Sequence, residues 1–195
     1  MRDTVDKKTK IIFLVILFVA LAVVGYYCFL VNRDTKEQKE NTVSTVQAVL
    51  ARDLKHDYPP SPKEVLKYYQ QINKCLYNEE CTEQEMEDLA LKARELFDEE
   101  LQANNELGSY LIKMTSEVKN FRAFGRRISN ISISASTDVD FFEDDGHSFA
   151  RLRCGYTILE KKQSYSTIEV YLLRKDADGH WKIYGWDLAE NVYVD

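Results

Sequence analysis

The side chains able to do chemistry are few in this sequence of 195 residues, and their spacing is the first thing to weigh. His147 and His180 each follow a turn glycine, and His56 precedes Asp57-Tyr58-Pro59. None stands at a ligand spacing from a second His or Cys, so no metal is expected. Asp176-x-Asp178-Gly179 begins like a calcium loop but lacks the remaining ligands and the closing glutamate, and a hairpin turn accounts for it. Asn130-Ile131-Ser132 is a glycosylation triplet inside a predicted strand. Cys28 lies in an apolar run and Cys154 on a core-facing position. Cys75 and Cys81 flank Leu76-Tyr77-Asn78-Glu79-Glu80. A disulfide there would close a short loop worth about 2 kcal/mol; two reduced thiols are the alternative, since many envelope proteins use no disulfide. No catalytic motif and no cofactor site emerges.

The elements that must position these residues divide by period. From Phe149 to Leu188 three stretches alternate apolar and polar residues and are dense in Tyr, Trp, Ile, Val and Thr, a pattern of antiparallel strands. Asp178-Gly179 supplies the positive φ of a tight hairpin, and Gly155 and Gly185 inside strands predict bulges or bends in a curved sheet. Ile131, Ile133, Ala135 and Val139 form an earlier strand, which turns at Asp144-Asp145-Gly146-His147. Ahead of the sheet the period is helical. Val43, Val46, Leu50 and Leu54 predict a helix from about Thr42 to His56. Ser61-Pro62-Lys63-Glu64 starts a second and Thr82-Glu83-Gln84-Glu85 a third, each by a capping signature. A fourth from about Asn105 carries Leu107, Leu111, Met114, Val118 and Phe121 and stops near Gly125. The expectation is an α+β domain over residues 42–195, about four helices on one face of a curved antiparallel sheet of about four strands.

The first forty residues are different in kind. Ile11 to Val31 is free of charge, and fifteen of its residues are Ile, Leu, Val or Phe, worth roughly −5 to −9 kcal/mol on an insertion scale. That predicts a transmembrane helix over 11–31, between a tail at 1–10 and a stalk at 32–41. No small-x-small cleavage site follows it, which disfavours a removed signal peptide. Arg2, Lys7, Lys8 and Lys10 precede the span and Arg33, Lys36 and Lys39 follow it, so the positive-inside rule puts the N-terminus in the cytoplasm and the domain outside. Of the net charge of −6 the tail carries +2 and the remainder −8, a balance that excludes nucleic acid as a partner.

Val170-Tyr171-Leu172-Leu173-Arg174-Lys175, then Asp-Gly, then Trp181-Lys182-Ile183-Tyr184-Gly185-Trp186 resembles the closing hairpin of the nuclear-transport-factor-two-like superfamily, also called cystatin-like or ketosteroid-isomerase-like. In that superfamily a curved sheet wraps helices into a cone. The whole chain is similar to a family of small single-pass proteins of Gram-positive gut bacteria. The resemblance implies a cone cavity, and isomerases and dehydratases of the superfamily place a carboxylate and a tyrosine or second acid there. Tyr156 is the cavity's expected polar group, with Asp138, Asp140 or Asp187 as nearby acids, and no residue matches a catalytic pattern of the superfamily.

Three functions are therefore expected. The first is a membrane-anchored, non-catalytic binding or scaffolding module of a bacterial envelope; the second, a subunit of an envelope secretion or conjugation assembly; the third, an isomerase-like or dehydratase-like enzyme. Parity taken with Leu152, Tyr156, Val170 and Leu172 inward puts Arg151, Arg153, Glu169, Tyr171 and Leu173 on the outer sheet face. With Ile183 inward, Lys182, Tyr184 and Trp186 join them. That face is the expected contact for a protein partner or a second copy. The topology has a direct check: a reporter active only outside the cytoplasm should work when fused after Asp195 and fail when fused before Met1. The reverse pattern would put the domain in the cytoplasm.

Overall fold

The computed structural model describes residues 45–191. Helix α1, Thr45–Leu50, gives way to turns well before Pro59. Helix α2, Pro62–Asn78, begins where Ser61 accepts a hydrogen bond from the Glu64 amide and proline occupies the first helical turn. Its buried stripe includes Val65, Leu66, Tyr69, Ile72 and Leu76. Helix α3, Glu83–Arg94, starts with a complete capping box: Thr82 Oγ1 accepts from the Glu85 amide at 3.1 Å, and Glu85 Oε2 accepts from the Thr82 amide at 2.9 Å. Two further helices follow, α4 at Glu99–Asn104 and α5 at Leu107–Ala123, the latter ended by Gly125 at φ 67°.

Strands β1 (Arg126–Ile133), β2 (Asp140–Asp144), β3 (His147–Glu160), β4 (Gln163–Lys175) and β5 (Trp181–Leu188) form one antiparallel sheet. The order is β1-β3-β4-β5, with β2 also paired to β3, and the sheet is not closed. The domain is thus α+β, with five helices and five strands among the described residues. The two elements missing from the sequence expectation are short. α4 is six residues without a buried side chain, and β2 is the first arm of the turn at Asp145-Gly146. Gly185 does accompany a bulge, since β5 shifts register between Leu172↔Gly185 and Leu173↔Ile183 and leaves Tyr184 as the extra residue. At Gly155 the register runs through unbroken, and the missing side chain instead gives room to Ser132, whose Oγ would lie 2.8 Å from an added Cβ. Among the described residues no helix is long and apolar enough to cross a membrane. The span expected at residues 11–31 lies outside the described residues.

The core lies between the helices and one face of the sheet, where Leu152, Cys154, Tyr171, Leu173 and Ile183 are buried with Leu66, Ile72, Leu89 and Leu96. Beyond β5 the chain leaving α3 lies alongside the sheet: the Asp98 amide donates to the Ile183 carbonyl and the Ile183 amide to the Leu96 carbonyl, both at 2.8 Å. That contact protects the exposed edge of β5. It also places buried Asp98 against Arg174, whose Nη2 and Nε reach the two carboxylate oxygens at 2.5 and 3.0 Å. The same carboxylate caps α4 by accepting from the Glu100 amide. Asp98→Ala strands the guanidinium and uncaps the helix, so it should cost about 3–5 kcal/mol in urea unfolding. Glu100→Ala, whose pair with Arg174 is far more exposed, should cost much less. Equal losses would refute this assignment.

Candidate functional site

Between the helices and the inner sheet face lies a cavity of about 560 Å3, within the size range of small-molecule sites. Its walls are aromatic: Tyr69 and Tyr77 from α2, Phe97 beside β5, Tyr110 and Phe121 from α5, and Tyr156, Tyr165, Tyr171 and Trp186 from the sheet. Tyr69 packs edge-on to Tyr171, and Trp186 stacks on Tyr171 with centroids 5.7 Å apart. Asn73, Asn105, Lys113, Glu117, Arg126, Thr167 and Glu169 are the polar lining.

A relay of hydrogen bonds is centred on Tyr171. Its hydroxyl donates to Glu169 Oε2 at 2.7 Å. With its only proton so placed, the hydroxyl accepts from Tyr156 at 2.7 Å and from Gln70 Nε2 at 3.2 Å. Asn73 Nδ2 donates to Gln70 Oε1 at 3.3 Å, which completes the line Asn73, Gln70, Tyr171, Glu169. Burial pushes the Tyr156 and Tyr171 phenols well above their ordinary pKa, and the Glu169 charge pushes the same way, so both remain neutral donors throughout the physiological range. Nearer the surface, Tyr77 donates to Glu117 Oε1 at 2.7 Å.

Tyr156 faces the cavity as expected from its parity, but the acids that share the cavity are Glu169 and Glu117; Asp138, Asp140 and Asp187 do not line it. The expected outer face needs correction. Tyr171 and Leu173 are buried in the core, and Glu169 and Trp186 line the cavity. Arg151 and Arg153 do lie on the opposite face, where Arg151 pairs with Asp140 at 3.3 Å. Tyr184 stacks edge-on with Phe149 there and donates to Glu100. The parity failed because β4 is apolar on both sides, with Ile168, Val170 and Leu172 on one and Tyr171 and Leu173 on the other. The β3–β4 turn held the missing signal. Lys161, at φ 55°, and Lys162 make a two-residue turn pairing Glu160 with Gln163, which fixes Leu152 opposite Tyr171 and hence on the same face.

Cys75 and Cys81, expected either as a disulfide or as two thiols, stand as free thiols, with Cys81 Sγ 3.6 Å from the Cys75 carbonyl. Burial pushes the Cys75 thiol up to about 11 and raises that of Cys81 against the opposing pull of Arg122. Asp176 and Asp178, which begin like a calcium loop in the sequence, are joined by His180 at the β4–β5 turn, where the three bring ligand atoms within 4.8 Å of one another. The turn itself engages Asp176, which accepts from the His180 amide at 2.7 Å.

A family model described as "Domain of unknown function (DUF6715)" matches residues 1–186. The chain belongs to that family. The match to DUF6715 takes in the apolar run at 11–31 together with the cavity-forming residues of the folded domain. No curated protein matches this DUF6715 chain.

The relay makes unequal demands on its two tyrosines. Tyr171→Phe leaves Glu169, Tyr156 and Gln70 without a shared partner and should cost about 2–4 kcal/mol, whereas Tyr156→Phe removes one bond and should cost about 1 kcal/mol. Urea unfolding of the two variants measures the difference, and a Tyr171→Phe chain as stable as the parent would contradict the relay.

Proposed function

We propose that this chain is a membrane-anchored, extracytoplasmic module of a bacterial envelope that binds a small, largely aromatic or apolar molecule in the cavity between its helices and sheet. The observation carrying this reading is the cavity itself: about 560 Å3, walled by tyrosines, Phe97 and Trp186, with a few convergent polar groups at its inner end. A collapsed core would be filled by aliphatic side chains at close-packed density. Here bulky aromatics surround open volume, and Trp186 and Tyr165 remain about two-fifths exposed beside it. The order of helices and sheet supports the resemblance to the cone-shaped superfamily, and the uncharged run at 11–31 supports the anchor.

The enzyme reading has one observation in its favour, a tyrosine and a carboxylate in the same cavity, as the resemblance implies for isomerases and dehydratases. Against it, one Glu169 oxygen is already engaged by Tyr171, and Tyr156 spends its proton on the same hydroxyl. The scaffold reading loses Tyr171 and Leu173 from its contact face, since both are buried.

Binding can be read with N-phenyl-1-naphthylamine, an uncharged fluorophore of suitable size, titrated into the full chain in lipid nanodiscs. A Thr167→Trp chain, which fills the cavity from β4, serves as the reference, so that probe taken up by lipid cancels. The parent should show one saturable site that the variant weakens at least tenfold. Identical curves for the two chains would remove the cavity reading.

A further inference from the structure

We propose that the cavity selects an organic cation, an aromatic or alkyl amine or quaternary ammonium group, with its positive centre held by Glu169 and Glu117 among the aromatic rings. This rests on the cavity being a ligand site, as proposed above.

The direction of the relay comes first. Its donors are all aimed along it: Asn73 to Gln70, Gln70 to Tyr171, Tyr156 to Tyr171, and Tyr171 to Glu169. The phenolic protons of Tyr156 and Tyr171 are both spent inside the protein, and what this pair and Glu169 leave to face a ligand is acceptor capacity, the second oxygen of Glu169 and the lone pairs of Tyr156. An anion meets the Glu169 carboxylate there with neither phenolic proton of the pair left to accept. An ammonium group meets acceptors.

Charge makes the second case. Glu169 and Glu117 both line the cavity, and among the described residues neither forms an ion pair with a lysine or arginine. Two cationic side chains share the lining. Arg126 is held by Glu160 at 2.7 Å, and Lys113 sits on the exposed side of α5. The acids are felt within: Glu169 and Glu117 both raise the Tyr69 and Tyr77 phenols, after the larger effect of burial, while Arg94 opposes Glu117 at Tyr110. Glu169 is partly buried and Glu117 exposed at the mouth; a partly buried carboxylate without a cation partner is costly, and a cationic ligand would relieve that cost at Glu169 on binding.

The walls supply the third. Tyr69, Tyr165 and Trp186 offer the electron-rich ring faces that attract ammonium groups, most strongly where water is excluded, and Tyr110 already carries the Arg94 guanidinium 5.8 Å from its ring centroid. The net charge of −6 favours the approach of a cation from solution.

Three water-soluble probes of similar size separate the possibilities: benzyltrimethylammonium, benzyl alcohol and benzoate, titrated calorimetrically into the full chain in nanodiscs. The cation should bind at least tenfold more tightly than the alcohol, and benzoate should not bind measurably. Glu169→Gln and Glu117→Gln should each weaken the cation at least fivefold and leave the alcohol unchanged, with near-UV circular dichroism checking that each variant keeps its fold. If Glu169→Gln fails that check, Glu117→Gln alone decides. Equal affinity for cation and alcohol, tighter binding of benzoate, or indifference of the cation to a folded Gln variant would overturn the proposal. Binding of the alcohol and of N-phenyl-1-naphthylamine, both lost in Thr167→Trp, without preference for the cation would leave the cavity reading standing and remove only the cation. Failure of every probe would remove both.

Discussion

The structure depends on the need to satisfy one buried hydroxyl. Tyr171 sits on a central strand with its ring fully inside the core, and a phenolic oxygen there without partners would cost about 1–3 kcal/mol. Three neighbours supply those partners, and they come from three different elements: Gln70 from α2, Tyr156 from β3 and Glu169 from β4 itself. The relay therefore ties the principal helix to the middle of the sheet. Its members are large and polar, and the space beside them stays open as the cavity.

The other end of the sheet is held by a different device with the same logic. Where α3 gives way to α4, the chain runs beside β5 and buries Asp98, and Arg174 crosses from β4 to meet it. Trp186 and Phe97 lie on the cavity side of this seam, so the ion pair that locks the edge of the sheet also sets one wall of the candidate site. The helices in between supply volume and aromatic surface; the sheet supplies the polar end.

Much of this was legible in the sequence, and what was not has identifiable causes. Capping residues gave the starts of α2 and α3 because Ser61 and Thr82 act locally, through bonds spanning three residues. The Asp178-Gly179 hairpin was readable for the same reason, as was the bulge at Gly185. Short α4 and β2 escaped because neither has a periodic apolar pattern of its own; α4 is held by the Asp98 cap, and β2 by pairing with β3. Tyr156 was placed correctly because β3 alternates cleanly. Tyr171, Leu173, Glu169 and Trp186 were placed on the wrong face because β4 is apolar on both, and only the two-residue turn at Lys161-Lys162 distinguishes its sides. Glu117 carries no local signal at all: it is one more acid on a helix until tertiary packing brings Tyr77 to it.

The function proposed above is that this acidic domain, with its aromatic cavity and a carboxylate at the end of a donor relay, holds a small molecule near a bilayer that the uncharged run at 11–31 would span. Tyrosine ring resonances test that most directly, followed by nuclear magnetic resonance in the full chain with ring-labelled tyrosine while benzyltrimethylammonium is added. The resonances of Tyr69, Tyr110, Tyr156 and Tyr165 should move together along one saturable curve, while that of Tyr184 on the opposite sheet face stays still. Movement confined to Tyr184, or linear drift of all the rings without saturation, would contradict the account.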